Sequence, residues 1–306
     1  MKERAEAMVL ASFVADSHAL GVHWMDDTNE IASRHGRVDR LLPAPHGSYL
    51  AGRPMGAQTH YGDQTMLLLR HLTSHRGFEV EAFSREWRER MESYDGYLYT
   101  AKKDTLENLH AGRPRIGVGS ESDDLSAAGR IAPLVYLYRD DRNRLLETAR
   151  IQASITHRAP EVPETAAFLA DVSWVVLNGK TPTSAIAAVT ERDPESRVSE
   201  LFQKGMDSVV RDTREVALEF GQGCSVGSAL PLAIHLLAKY EGSLRDALVE
   251  NVSAGGDSAA RGMVVGTILG AFHGRDAIPD GWIQDLRSFR EISVLLEDLE
   301  ATLQRP

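Results

Sequence analysis

Cysteine is almost missing from this 306-residue chain: Cys224 stands alone. One thiol excludes an internal disulfide and a cysteine-rich zinc site, and it fits a reducing compartment. An uninterrupted run of Lys and Arg is missing too. With a formal net charge of −10, the chain lacks the concentrated basic footprint that a phosphate backbone demands. Nonspecific DNA or RNA binding is therefore excluded, and any phosphate ligand has to be held locally. No apolar run is long enough to cross a bilayer, and the first residues, Met1-Lys2-Glu3-Arg4-Ala5-Glu6, carry no apolar signal core. The expectation is a cytoplasmic protein with no membrane partner; oligomeric state is not legible. The alternation that marks half-buried strands is nearly absent, as are internal repeats and low-complexity segments.

What is present is helical periodicity in a chain of ordinary globular composition, 42% hydrophobic and 25% charged. Met8, Val9, Leu10, Phe13, Val14 and Leu20 recur at helical spacing, with small Ala11, Ser12 and Ala15 between them, which predicts a buried helix. Residues 28–58 are rich in Gly, Pro and His and predict an irregular excursion of the kind that often carries function. Helical spacing resumes after Asp63 and over 80–94, then at 131–139, 143–156, 164–178, 182–191, 197–219, 226–240, 243–252 and 258–273. Residues 102–125 hold too much Gly and charge to be helical throughout. The expected fold is all-α, a single domain over 1–306 built of many short helices.

Two acidic signatures each open into an apolar run: Tyr61-Gly62-Asp63-Gln64-Thr65 and Gly255-Gly256-Asp257-Ser258-Ala259-Ala260. An Asp at a helix start either caps orphan backbone N–H groups or offers an oxygen to a hard cation, and sequence does not separate the two. If the helix starts meet, Asp63 and Asp257 supply two oxygen ligands suited to Mg²⁺ or Ca²⁺. Past Asp257, the spacing Gly262, Gly266, Gly270 makes a small-residue face that lets another helix approach closely. Asp16 lies inside an otherwise apolar helix, where a lone carboxylate is costly, so a partner or cation is expected beside it. Gly223-Cys224-Ser225-Val226-Gly227 fits the G-x-S-x-G nucleophile elbow, but that motif needs a preceding strand and 214–220 reads as helix. His71 and His75 have the i, i+4 spacing of a zinc pair; with no third ligand nearby in sequence, they are expected to face solvent.

Taken together, these segments resemble the ADP-ribosylglycohydrolase family, which includes the hydrolase that reactivates ADP-ribosylated dinitrogenase reductase and the lens J-crystallins. Asp16-Ser17-His18-Ala19-Leu20-Gly21 is similar to the family's Gly-Asp-Ala-Leu-Gly segment, and Gly62-Asp63-Gln64-Thr65 falls at its Thr-Asp-Asp-Thr motif. Gly129-Arg130-Ile131-Ala132-Pro133 resembles Met-Arg-x-Ala-Pro, with Thr156-His157 following. Gly255-Gly256-Asp257-Ser258-Ala259-Ala260, running on to Gly270-Ala271-Phe272-His273-Gly274, resembles Gly-Gly-Asp-x-Asp-Thr/Ser and its Gly-Ala-x-x-Gly ending. The resemblance implies one compact all-α domain and two Mg²⁺ ions beside the scissile glycosidic bond.

The chain departs from the family at the ligands. Gly62 and Gln64 replace Thr and the second Asp of the first motif, and Ala259 and Ala260 replace Asp and Thr/Ser of the last. Trp24-Met25 meets the position of a further acid, with Asp26 and Asp27 just beyond. Two closely spaced dications need several anionic ligands, so the expectation is one weakly held Mg²⁺ at Asp63 and Asp257, or none. The implied function is hydrolysis of an ADP-ribosyl or related ribosyl N- or O-glycosidic bond on a small molecule or protein. Asp63 and Asp257 are the catalytic candidates. Asp16, Gln64, Arg130, Gly255, Gly256, Ser258 and Arg261 are the substrate-binding candidates, with the arginines placed to clamp a diphosphate. The alternative is a non-catalytic nucleotide-binding or crystallin-like protein.

Overall fold

Helix follows helix along the chain. The computed structural model describes residues 1–113 and 117–303, and its helices are α1 Lys2–Ala19, α2 Thr28–His35, α3 His60–His75, α4 Val80–Glu92, α5 Thr100–His110, α6 Ser126–Gly129, α7 Ala132–Leu137, α8 Arg142–Ser154, α9 Glu161–Leu177, α10 Pro182–Thr190, α11 Arg197–Met206, α12 Thr213–Phe220, α13 Val226–Lys239, α14 Leu244–Ser253, α15 Ser258–His273, α16 Asp280–Asp285 and α17 Phe289–Leu303. Among the described residues, extended pairing is limited to two isolated bridges, Ser120 with His157 and Asp124 with Ser225. The single all-α domain expected from the sequence is the one observed.

Helix α15 is buried from Ser258 to Ala271 and packs lengthwise on α1, itself buried over nearly its whole length. Helices apolar all round belong at the centre of a globule, and the glycine rail explains how these two fit. A Cβ on Gly266 would stand 2.5 Å from the Ala11 carbonyl oxygen, and one on Gly270 2.6 Å from the Ala11 Cβ. Ala15, Ala11 and Ala7 on α1 answer Gly262, Gly266 and Gly270 on α15, so the two backbones approach with only alanine methyls between them.

Two expectations change in detail. Within the Gly/Pro-rich excursion, α2 forms because Asp27 caps it, accepting from Asn29 N and Glu30 N at 2.8 and 3.2 Å. Asp27 is thus a helix cap. The stretch expected as one helix over 197–219 breaks into α11 and α12 because Asp212 caps a new start, accepting from Arg214 N and Glu215 N. Residues 102–125 open with the regular helix α5 and then turn irregular, as their glycines require; 114–116 lie outside the described residues.

In an exposed helix Gly→Ala gains about 1 kcal/mol. At Gly266 the sign should reverse: Gly266→Ala is expected to lower stability by about 1–3 kcal/mol through overpacking, measured by urea unfolding. A gain in stability would show that the α1–α15 contact is looser than described.

Candidate active site

The site begins where α1, α3 and α15 come together. Asp16, near the end of α1, is fully buried and accepts from Thr59 N at 2.7 Å, Thr59 Oγ1 at 2.5 Å and Gly62 N at 3.2 Å. It ties the first turn of α3 to α1 and so has the partners its burial demands. Burial pushes its carboxyl up to about 7, against the lowering effect of the Thr59 donors. A Cβ on Gly62 would stand 2.2 Å from Asp16 Oδ2, so the residue that departs from the family's Thr is the one that lets Asp16 close in.

Asp257 is the N-cap of α15, accepting from Ala260 N at 3.3 Å. Its other oxygen, Oδ2, accepts the Tyr61 hydroxyl at 2.9 Å, and His23 Nδ1 lies 3.8 Å from Oδ1. Of the two roles that sequence could not separate, the cap is present, and the other oxygen is turned inward to Tyr61. Burial raises Asp257 to about 6 despite the Tyr61 hydrogen bond. The two glycines before it adopt φ of 71° and 69°, a left-handed conformation that costs glycine nothing. A Cβ on Gly256 would stand 2.1 Å from the Gln222 carbonyl oxygen, and one on Gly255 2.5 Å from Gln222 Nε2. Hydrogen bonds from Trp24 N to Gly256 O, from Gly256 N to Met25 O and from Asp257 N to Gln222 O, each 2.9 Å, wedge this turn between two other segments. Gly255 and Gly256 therefore serve backbone packing.

The two helix starts do meet, but through Tyr61. Residues i and i+2 of a helix do not share a face, so with Tyr61 turned to Asp257, Asp63 has different neighbours. Asp63 Oδ2 accepts Arg53 Nη2 at 2.7 Å and the Tyr94 hydroxyl at 2.5 Å, and Arg53 also donates to Gln58 O at 2.6 Å. Nearby Lys102 is fully buried, with its amine 4.1 Å from the Tyr94 ring centre; burial lowers it to about 7, with Asp63 acting in the opposite direction. Among the described residues no hydrogen bond or ion pair joins Asp63 to Asp257.

Gln64, Arg130 and Arg261 are spent inside the protein. Gln64 Oε1 accepts from Trp87 Nε1 at 2.9 Å and Arg130 Nη1 at 3.1 Å; Arg130 also holds Gln152 Oε1 at 2.7 Å and Thr156 Oγ1 at 2.7 Å. Arg261, with none of its surface exposed, binds Asn251 Oδ1, Asn251 O and Gly255 O, leaving Nη1 without a partner. Both guanidiniums brace the turns on which the carboxylates sit. Ser258 is buried with its Oγ unpartnered.

Several site residues lay outside the sequence reading. Asp124 is buried and accepts from Ser122 Oγ at 2.8 Å, from Ser126 N at 3.1 Å and from Ser126 Oγ. His157 Nε2 stands 2.9 Å from Asp124 Oδ2, an ion-pair distance lying off the hydrogen-bond axis. Burial alone would raise Asp124, but His157 and the serines outweigh it and hold the carboxyl near 2. Its charge is felt at Asp257, Tyr61 and Cys224, which places it in the same electrostatic neighbourhood. The signal was the Ser122-Asp123-Asp124 run beside the Gly129-Arg130 motif. Arg53 was hidden in the irregular excursion, and Tyr61 stood inside a signature read only for its Asp.

An aromatic cluster flanks Asp257. Trp24, at φ 63°, stacks on His23 with centroids 4.2 Å apart and meets Tyr49, Tyr97 and His60 at 5.5, 5.1 and 5.1 Å. His23 and His60 are buried with both ring nitrogens unpartnered. Burial lowers His23 to about 3 and His60 well below its usual value, so both are neutral. Cys224, exposed on the loop after α12, is pushed up by partial desolvation and by the negative charges of Asp257 and Asp124, which makes its thiol a poor nucleophile. For Ser225, α12 rather than a strand precedes the turn, and no histidine hydrogen-bonds it among the described residues. The nucleophile-elbow reading lacks its context.

Tyr61→Phe removes a donor from a buried carboxyl. Asp257, raised from 3.8 to about 6, lowers stability as pH rises through that window, because the folded state must then hold an unwelcome charge. Losing the hydroxyl should raise it further. Tyr61→Phe is therefore expected to cost about 1.5–3 kcal/mol at pH 8 and distinctly less at pH 5, by urea unfolding at both. Equal losses would show that Asp257 does not feel Tyr61.

Comparison with known proteins agrees with the fold and the order of these segments. The family model described as ADP-ribosylglycohydrolase matches residues 1–306. Crystallin J1A of Tripedalia cystophora is 23% identical over 99% of this chain and 98% of its own length. ADP-ribosylhydrolase ARH3 of Bos taurus is 29% identical over 36% of this chain and 32% of its own. A solved structure titled ADP-ribosylglycohydrolase-related protein complex superposes with a TM-score of 0.76 at 23% identity, covering 98% of each chain; at that identity it bears on the fold alone. The chain belongs to the ADP-ribosylglycohydrolase family.

Proposed function

We propose that this protein hydrolyses an ADP-ribosyl or related ribosyl N- or O-glycosidic bond, with Asp257 as the general base. The observation that carries the reading is the pair of buried carboxyls, Asp257 raised to about 6 and Asp124 held near 2. Carboxyls whose proton affinities are pushed apart mark the division of acid–base labour in a site. Near neutral pH Asp257 is ionised yet still basic, which suits proton abstraction from water. As the water oxygen bonds the anomeric carbon its proton passes to Asp257; the electron pair of the glycosidic bond leaves with the acceptor atom, which takes up a proton from solvent, and Asp257 returns its own to solvent. Asp124, with its oxygens held by serines and His157, contributes fixed negative charge toward an oxocarbenium-like transition state. His23 and His60, with free ring nitrogens, and the partly exposed Asp63 are the groups left to take sugar hydroxyls.

The residues do not fit the family's Mg²⁺ pair. One Asp63 oxygen, Oδ2, already holds the Arg53 guanidinium at 2.7 Å, and a divalent ion on the same carboxylate would be repelled by that guanidinium. Gln64 Oε1 is taken by Trp87 and Arg130, and Ala259 and Ala260 offer no side-chain oxygen. No step here passes through a metal.

The locked state of Asp63 and Gln64 also favours a second reading, in which the fold and an ADP-ribosyl pocket persist without turnover. The two part in one assay series on ADP-ribosylated arginine and serine peptides. Hydrolysis with kcat/KM rising through about pH 6, and at least about a hundredfold loss in Asp257→Asn with unfolding unchanged, is the expected outcome. ADP-ribose binding by the wild type without release from any tested acceptor would favour the second reading. Full activity in Asp257→Asn would remove Asp257 from the chemistry.

A further inference from the structure

Away from the Asp257 neighbourhood, α3 and α4 bring three ligand-type side chains to one point. We propose that His71, His75 and Glu86 form a transition-metal site, with Zn²⁺ the ion their chemistry fits best. His71 and His75 stand one turn apart on α3 with ring centroids 4.5 Å apart. Glu86 reaches across from α4: Oε2 lies 2.8 Å from His71 Nδ1 and Oε1 2.7 Å from His75 Nε2. All three ligand atoms lie within 4.8 Å of one another. The expectation that these histidines face solvent holds for His75 and is corrected for His71, which is 1% exposed, and the third ligand comes from a neighbouring helix that sequence spacing does not register.

Two imidazoles and one carboxylate are the donor set of many catalytic zinc centres, whereas Mg²⁺ prefers oxygen alone. Zinc bonds of about 2.0–2.1 Å in a tetrahedron place ligand atoms roughly 3.3 Å apart. The two carboxylate–imidazole separations are those of hydrogen bonds, so these contacts must open by about half an ångström for the ion. His75 and Glu86 can supply it by side-chain rotation, being 32% and 28% exposed. The fourth position opens on a surface groove of about 430 Å³ lined by Leu67, Arg70, Ser74, Glu89, Arg90 and Ser93, which gives water or a ligand access.

The proton accounting also closes. His71 Nε2 accepts the Glu79 N–H at 3.1 Å, so its Nδ1 carries the hydrogen that Glu86 accepts. Metal at Nδ1 displaces that proton, and Nε2 becomes the N–H. The new N–H needs an acceptor, and the Glu79 carboxylate, whose charge acts on His71, is the group that would supply the carboxylate–histidine–metal order common around zinc. The cost is the Glu79 N–H hydrogen bond, about 1 kcal/mol. The ion would cross-link α3, whose first turn carries Tyr61 and Asp63, to α4, which leads to Tyr94.

The test is a titration of untagged, chelator-treated protein with Co²⁺, read by the visible d–d bands of a tetrahedral ion, followed by Zn²⁺ competition and thermal unfolding. One Co²⁺ per chain, displaced by Zn²⁺, with a higher Tm in the metal form, is expected. His75→Ala and Glu86→Gln should each weaken binding at least about tenfold. His75→Ala, altering an exposed position, keeps the test independent of folding. Absence of tetrahedral bands, or equal binding by the wild type and both variants, would overturn the site.

Discussion

The contact between α1 and α15 is the constraint on which the site depends. Gly262, Gly266 and Gly270 press against Ala15, Ala11 and Ala7 closely enough that backbone carbonyls of one helix sit where Cβ atoms of the other would be. Burial of apolar surface drives the pairing, but its exactness comes from missing side chains. With the two axes fixed, Asp16 near the end of one helix and Asp257 at the start of the other have no freedom to drift. The groups that link them across the helix pair, Thr59, Gly62 and Tyr61, are carried by the segment that opens α3. A buried carboxylate is tolerable only where donors already wait for it, and the rigid helix pair makes them wait in the right place.

On this frame the chain places its own groups where the family's ligand pattern would call for metal ions. Arg53 and Tyr94 saturate one Asp63 oxygen, the Tyr61 hydroxyl meets Asp257, and Arg130 with Trp87 consumes Gln64. Each substitution in the signatures has a structural counterpart. Gly62 admits Asp16, Gln64 accepts from two buried donors, and Ala259 and Ala260 pack in a fully buried turn. In the proposed hydrolysis the electrostatic work falls to Asp124, whose charge is fixed by His157 and two serines, and to Asp257, whose charge is negotiable near pH 6. This is the physical basis for expecting chemistry from a site with few free oxygens.

The fold was legible because helical periodicity and the glycine rail are local signals that tertiary contacts here reinforce. Caps such as Asp27 and Asp212 were legible only in part, since an Asp in a polar stretch can begin a helix or sit in a loop. Asp16 and Asp257 could be picked out because a carboxylate beside apolar helix is costly and needs an explanation. Arg53 could not, because its role depends on a loop of irregular backbone bringing it to Asp63. Asp124 and Glu86 share that difficulty: each acts on residues far along the chain, through contacts with no sequence spacing. The arginines chosen by position, Arg130 and Arg261, show the converse. A buried guanidinium near a carboxylate reads as a ligand clamp until its donors are counted.

In the proposed site, internal hydrogen-bond donors and one guanidinium take the places of the dications. The most direct measurement is a Mn²⁺ titration followed by EPR, with and without ADP-ribose, on the wild type and Asp257→Ala. The account predicts no Mn²⁺ binding that depends on Asp257, in either condition. Binding that tightens with ADP-ribose and disappears in Asp257→Ala would contradict it and return the metal to the site.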